Sequence, residues 1–309
     1  MKVLFMGTPD FAVSSLEAII GAGHDLVGVV TQPDKVKGRG GKISFPAIKE
    51  AALAHNLTVY QPSRVRDSEF IEIIRDLDPE VIVVAAFGQL LPKELLDMPL
   101  YGCINVHASL LPKYRGAAPI QAAIINGEKE SGITIMHMDV KLDTGDMILQ
   151  ESIPLAEDET GGSLHDKLAS LGARLIVEAL DKLKEGTAKR IPQDESQATY
   201  VKMLDKKMGY IDFAKPAIDI ERMIRGLNPW PSAYTKLKGK TLKIWRAEVI
   251  EYNSNARPGE LVELTKDYFV VMTGKDALII KELQLEGKKR MPCDAFLRGY
   301  PIEKGTILA

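Results

Sequence analysis

Asn105 and His107 stand two residues apart at the end of the apolar run Cys103-Ile104-Asn105-Val106-His107. On a β-strand that spacing puts both side chains on one face. A side-chain amide and an imidazole converging on one point can hydrogen-bond a developing oxyanion and move a proton. A lone strand histidine is ordinarily a satisfied core residue. The amide beside it, and the tight turn Ser109-Leu110-Leu111-Pro112 that follows, shift the reading towards a site. A second strand carries His137 and runs into Met138-Asp139-Val140-Lys141-Leu142-Asp143-Thr144-Gly145-Asp146. If the two strands are neighbours, Asp143 orients His107 and stabilises its charge; if not, these acids cap turn amides. No His or Cys pair here has the spacing of a metal site.

Two other segments resemble phosphate-binding loops and fall short. Met6-Gly7-Thr8-Pro9-Asp10-Phe11-Ala12 follows a first strand, but Pro9 and Ala12 replace the later glycines of a dinucleotide fingerprint. It still suits the wall of a crevice at strand ends. In Asp34-Lys35-Val36-Lys37-Gly38-Arg39-Gly40-Gly41-Lys42, Val36 replaces the first glycine of a P-loop and Ile43 the magnesium-binding hydroxyl. What remains is a flexible loop with four cations and three glycines, either solvated or adapted to a phosphate backbone. Arg225-Gly226-Leu227-Asn228-Pro229-Trp230-Pro231-Ser232-Ala233 reads as a rigid, packed inter-domain corner in preference to a base-stacking site.

The elements that must position these residues alternate. Strands are expected at 3–6, 26–31, 81–86, 103–106 and 133–138, and helices at 14–22, 45–55, 67–77, 119–126 and 163–184. The strands are near-continuous apolar runs, which predicts an α/β, mostly parallel, doubly wound sheet with helices on both faces. In the long helix, Leu164, Leu168, Leu171, Leu175, Ala179 and Leu183 form a core-facing stripe, with Ser163 and Asp166 as its start signal. Beyond Lys184 the periodicity stops. The expected organisation is a catalytic domain over 1–189, a linker over 190–207 and, over 208–309, a small antiparallel barrel of short strands after one short helix.

The 309 residues allow about two domains. With 45% hydrophobic and 27% charged residues the chain is globular, and no apolar run reaches the ~20 residues of a membrane helix. Two cysteines, Cys103 and Cys293, make no disulfide framework, so a reduced, cytoplasmic protein is expected. The net charge of −2 hides an asymmetry. Residues 206–309 hold 19 basic and 13 acidic side chains, net +6, which leaves 21 and 29, net −8, in residues 1–205. A basic last part is a hint of a polyanionic partner.

Taken together, Gly7–Ala12, the basic 34–42 loop, Asn105-x-His107-x-Ser109-Leu110-Leu111-Pro112, Leu142–Asp146 and Asn228-Pro229-Trp230-Pro231-x-Ala233 resemble the methionyl-tRNA formyltransferases over nearly the full chain. The Asn/His/Asp set is shared with the wider folate-dependent formyltransferase superfamily. The resemblance implies a Rossmann-like catalytic domain, a linker and an OB-like barrel. It implies 10-formyltetrahydrofolate as formyl donor, the α-amino group of initiator Met-tRNA as acceptor, and no metal. It implies catalysis by Asn105, His107 and Asp143, with protonated His107 and Asn105 on the oxyanion and Asp143 relaying the proton. Ser109, Leu110, Leu111 and Pro112 would contact the folate, whose ring would lie against Phe87, Gly88, Gln89, Leu90 and Asp139. Lys35, Lys37, Arg39, Lys42, Lys206 and Lys207 would meet the tRNA, bound by a monomer. A small-amine formyltransferase shares the catalytic set but has no need of a basic barrel. A non-catalytic RNA-binding protein would have no need of the set.

Overall fold

The computed structural model describes residues 1–37 and 42–309, and of Lys37 and Lys42 only the backbone. In chain order the elements are β1 (Lys2–Gly7), α1 (Phe11–Gly21), β2 (Asp25–Val30), β3 (Lys35–Lys37), β4 (Lys42–Ser44), α2 (Ala47–Ala54), β5 (Val59–Tyr60), α3 (Ser68–Leu77), β6 (Val81–Ala85), α4 (Lys93–Leu96), β7 (Cys103–His107), β8 (Arg115–Gly116), α5 (Pro119–Ile125), β9 (Glu130–His137), β10 (Met147–Pro154), α6 (Gly161–Lys184) and β11 (Tyr200–Val201). There follow α7 (Ala217–Gly226), β12 (Ala233–Leu237), β13 (Lys240–Ile250), β14 (Leu261–Leu264), β15 (Phe269–Met272), β16 (Ala277–Leu285), β17 (Met291–Pro292) and α8 (Cys293–Gly299). Residues 1–119, 130–154 and 165–201 form one compact unit; 120–129, 155–164 and 202–309 form a second.

The first unit is built on a seven-stranded sheet in the order β10-β9-β7-β6-β1-β2-β5. The strands from β5 to β7 are parallel, and β9 and β10 run antiparallel at one edge. β1 and β6 are buried almost residue for residue, because helices cover both faces. On one face Phe70, Ile71 and Ile74 of α3 and Leu95 and Leu96 of α4 pack on Leu4, Met6, Ile82, Val84 and Cys103. On the other, Gly172 lets α6 lie so close that a Cβ there would stand 2.8 Å from Val106 Cγ1. The strand order reverses at β1, with β2 on one side and β6 on the other, so their carboxyl ends flank a crevice.

The predicted stripe of α6 is buried throughout. Its start differs from the expectation. The helix begins at Gly161, and the cap is Thr160: Ser163 N–H donates to Thr160 Oγ1 at 3.1 Å, and Thr160 N–H donates to Ser163 Oγ at 2.9 Å. Ser163 thus closes a reciprocal cap from within the first turn, whose backbone donors have no intrahelical acceptor. Strand β10 was not foreseen, since it alternates half-buried and exposed residues at the sheet edge, with only Ile148 buried, and carries no continuous apolar run. The two ends of the basic segment are strands. Lys35, Val36 and Lys37 pair antiparallel with Ser44, Ile43 and Lys42, while Gly38, Arg39, Gly40 and Gly41 lie outside the described residues.

The second unit contains a six-stranded antiparallel sheet, β12-β13-β16-β15-β14, with β17 beside β16. Its core joins Ile220 and Ile224 of α7 and Phe296 of α8 to Leu242, Ile244, Phe269, Leu278 and Leu283. After the two residues of β17 the chain turns into α8, a helix that the expected run of short strands did not include. Cys293 and Phe296, three apart, give α8 a buried face, and Arg298 pairs with Asp294 at 2.8 Å on the outside. Trp230, at the corner between α7 and β12, is 52% exposed. The corner is held by its backbone instead, with Ser232 N–H on Leu227 O at 2.9 Å.

Candidate active site

β7 places the first two site residues. Its ladder with β6 ends at the Val84–Asn105 pair, so His107 lies beyond the end of that ladder while still paired to Thr134 of β9. Asn105 and His107 share the face opposite Val106, the residue that α6 covers. The Asn105 amide makes no side-chain hydrogen bond among the described residues, and it is half-buried.

Asp143 arrives from the loop between β9 and β10. Since β9 is the direct neighbour of β7, the loop reaches back to His107, and Asp143 Oδ2 stands 3.8 Å from His107 Nδ1. Both side chains are largely shielded from solvent. The same Oδ2 accepts the Gly116 N–H at 2.8 Å, so the carboxylate is aimed from two sides. His107 Nε2 lies 3.1 Å from the carbonyl of Tyr114. A carbonyl only accepts, so the proton sits on Nε2 and Nδ1 is the nitrogen turned to Asp143. Tyr114 and Asp143 are both non-glycine residues in the left-handed region, at φ 61° and 54°, and such backbone persists only where its surroundings hold it.

The Ser109–Pro112 turn is fixed from β9 and β10. Thr134 Oγ1 donates to Ser109 O at 2.7 Å and accepts Leu111 N–H at 3.1 Å; Gln150 Nε2 donates to Leu111 O at 2.9 Å. Ser109 and Leu111 are buried, and Ser109 Oγ donates to Lys113 O at 2.7 Å. The proposed folate wall is mixed. Phe87 is buried, and its carbonyl accepts from Thr8 Oγ1 at 3.1 Å and Gln32 Nε2 at 3.2 Å. Gly88 has φ +85°, and Leu90 is 71% exposed. The Gln89 side chain holds the neighbouring loop, accepting Val65 N–H at 3.0 Å. Asp139 Oδ1 accepts Val140 N–H at 2.6 Å. Gly7 packs against Ala12, 2.8 Å from where a Cβ would sit, which explains the small residues of that turn.

Lys35 is exposed on β3; Lys37 and Lys42 are described only as paired strand backbone, and Arg39 lies outside the described residues. Lys206 and Lys207 belong to the second unit, exposed on a turn capped by Asp205, whose Oδ1 accepts Lys207 N–H at 2.7 Å. Thr134, Gln150 and Gln193 were not singled out from sequence. The two glutamines act through amide geometry in a strand and a linker, and no local pattern marks that.

His137, one strand from His107, is a buried histidine with a different fate. Burial first, and then the Arg190 guanidinium, push it from the ordinary 6.5 down to about 4. The folded form therefore binds its proton less readily than the unfolded chain. The stability it confers is full above pH 6.5 and is lost as pH falls towards 4. Melting temperature measured over this range should fall more steeply in the parent chain than in His137→Gln; parallel curves would contradict this.

A formyl transferase family model matches residues 1–180, and a model for the formyl transferase C-terminal domain matches residues 203–301. The chain is similar to a methionyl-tRNA formyltransferase of Agathobacter rectalis, 55% identical over 307 residues and covering 99% of each chain. A methionyl-tRNA formyltransferase of Caldanaerobacter subterraneus is 53% identical over 309 residues, covering all of both. Among solved structures, a sugar 3N-formyl transferase, WlaRD, superposes with a TM-score of 0.67 at 21% identity over 94% of this chain and 99% of its own. An N-formyltransferase from Helicobacter canadensis, in complex with folinic acid and dTDP-3-aminofucose, gives 0.66 at 21% over 91% and 98%. At that identity the solved structures establish the fold.

Proposed function

The chain belongs to the methionyl-tRNA formyltransferases, and from that premise we propose how its residues carry the reaction, transfer of a formyl group to the α-amino group of methionyl-initiator tRNA. The donor is a folate-derived formyl group, which we assign as 10-formyltetrahydrofolate. The observation that carries the catalytic assignment is the convergence of His107 and Asp143, 3.8 Å apart at the end of the strand that also holds Asn105.

The neutral amine attacks the formyl carbon, a C–N bond forms, and negative charge collects on the formyl oxygen. The Asn105 amide N–H and protonated His107, through Nδ1, donate to that oxygen. Asp143, held by the Gly116 N–H, faces His107 and takes the proton shed by the attacking nitrogen, directly or through water. That proton is returned to N10 of the folate as the C–N10 bond breaks, so no net proton is consumed. Donors already in place cost no reorganisation when charge develops.

Ser109, Leu110, Leu111, Pro112, Phe87, Gly88, Gln89, Leu90 and Asp139 form the folate cleft in this reading; its support is the fixed 109–112 turn beside His107. Lys35, Lys37, Arg39, Lys42, Lys206 and Lys207 contact the tRNA, a reading supported by the four cations of the 34–42 segment and by the basic last third of the chain. Both cysteines are buried and free, in keeping with a reducing, cytoplasmic setting.

The test is formyl transfer from 10-formyltetrahydrofolate to charged initiator tRNA, with charged elongator tRNA and a small amino sugar as competing acceptors. Preference for the initiator supports the assignment, and turnover of the small amine alone overturns it. Six phosphate contacts should weaken tRNA affinity about 10³-fold between 50 and 200 mM salt. An affinity indifferent to salt would rule the basic residues out as phosphate contacts.

A further inference from the structure

Residues 191–201 lie outside both matched family modules, yet they are laced to the two loops that build the site. Ile191 and Met147 exchange backbone bonds of 3.0 and 2.8 Å just past the Asp143 loop. Thr199 Oγ1 accepts Tyr114 N–H at 2.8 Å, and Thr199 O accepts Arg115 N–H at 2.8 Å. Tyr200 and Val201 of β11 pair in parallel with Arg115 and Gly116 of β8. The backbones approach so closely that a Cβ at Gly116 would stand 2.2 Å from Val201 O.

Gln193 sits at the centre of this lacing. Its amide nitrogen donates to Asp143 O at 2.9 Å and to Gly145 O at 2.8 Å. Its Oε1 accepts from Arg115 Nε at 3.1 Å and from a terminal nitrogen of the same guanidinium at 2.8 Å. Both amide protons and the oxygen of one side chain are thus engaged. Arg115 is itself fully covered, and Glu195 takes its terminal nitrogens at 3.0 and 2.8 Å while Tyr200 Oη accepts at 2.9 Å. One side chain therefore ties the Asp143 loop to the residue preceding Gly116, whose N–H holds the Asp143 carboxylate.

We propose that Gln193 is a positioning residue for formyl transfer, and that its two N–H donors hold the 143–145 loop so that Asp143 faces His107. This rests on the catalytic assignment above. The left-handed backbone at Asp143 needs such a restraint, and two carbonyls clamped by one amide supply it.

The discriminating variant is Gln193→Glu, which keeps an acceptor for Arg115 and removes both donors to the loop. Gln193→Ala, which removes both functions, is measured beside it. A displacement on the scale of 1 Å should lower kcat about 10²-fold in both variants. The Michaelis constants for folate and tRNA should stay within about threefold, since no substrate contact is lost. Hydrogen exchange should quicken in peptides covering 142–147 and 115–118. Parent-level kcat in Gln193→Glu, a loss confined to the Michaelis constants, or unchanged exchange over 142–147 overturns the proposal. If the parent chain itself does not formylate Met-tRNA, the catalytic reading fails, and the exchange measurement alone then decides whether Gln193 restrains the loop.

Discussion

Replacing His107 with alanine should lower kcat for formyl transfer by about 10²–10³-fold, the usual cost of one oxyanion donor. The Michaelis constant for the folate should change little, because the donor acts on charge that exists only in the transition state. The structure gives the reason for so large an effect from one ring. His107 Nε2 is tied to Tyr114 O, so the imidazole cannot swing, and Nδ1 is the nitrogen presented beside Asp143. Asn105→Ala should cost a similar factor, and the double variant should cost less than the product of the two, since both donors serve one oxygen. Single-turnover formylation with pre-bound Met-tRNA separates this from binding. A His107→Ala chain within about threefold of the parent rate would remove the residue from the mechanism.

Gly145→Ala should be nearly as damaging without touching a reacting atom. A Cβ at this position would lie 1.9 Å from the His137 carbonyl, which is backbone of β9 and cannot retreat without opening the sheet. The loop must move instead, and it carries Asp143 two residues earlier. Overpacking of this kind costs about 1–3 kcal/mol of stability, and the displaced carboxylate should cost about 10²-fold in kcat. Thermal melting and turnover measured on one preparation give both numbers. Normal turnover with a normal melting temperature would mean that the loop tolerates the shift. Glycine is required here by close backbone approach and not by an unusual φ, since this residue is absent from the positive-φ positions.

Much of the fold was legible because burial dictates residue type. Val81–Ala85 is apolar at every position, as a strand covered on both faces must be, and Ala233–Leu237 alternates, as a strand with one covered face must. The same logic explains the omissions. β10 sits at an edge and shows only weak alternation, and β8 and β11 are two residues each, so their existence depends on partners far away in the chain. The Asn105–His107 pair could be read from a period of two. The reach of Asp143 to His107 depended on the adjacency of β7 and β9, which no local pattern states. Gln193 is the extreme case: its three partners come from residues 115, 143 and 145, and a glutamine in a segment without periodicity gives no hint of them.

The bond from Tyr114 N–H to Thr199 Oγ1 spans 85 residues, and the last of the lacing is Val201. A growing chain therefore emerges from the ribosome with β7, Asn105 and His107 long before it owns the segment that locks their loops. At roughly 5–20 residues per second, about two thirds of the chain takes on the order of 10–40 s to synthesise. Closing a loop of that length is an entropic cost met only when its far end exists. Each new molecule of this enzyme thus carries the strand of Asn105 and His107 with its loops unlocked while residues 108–201 are still being made, and the order of synthesis sets the locking of those loops after the strand itself.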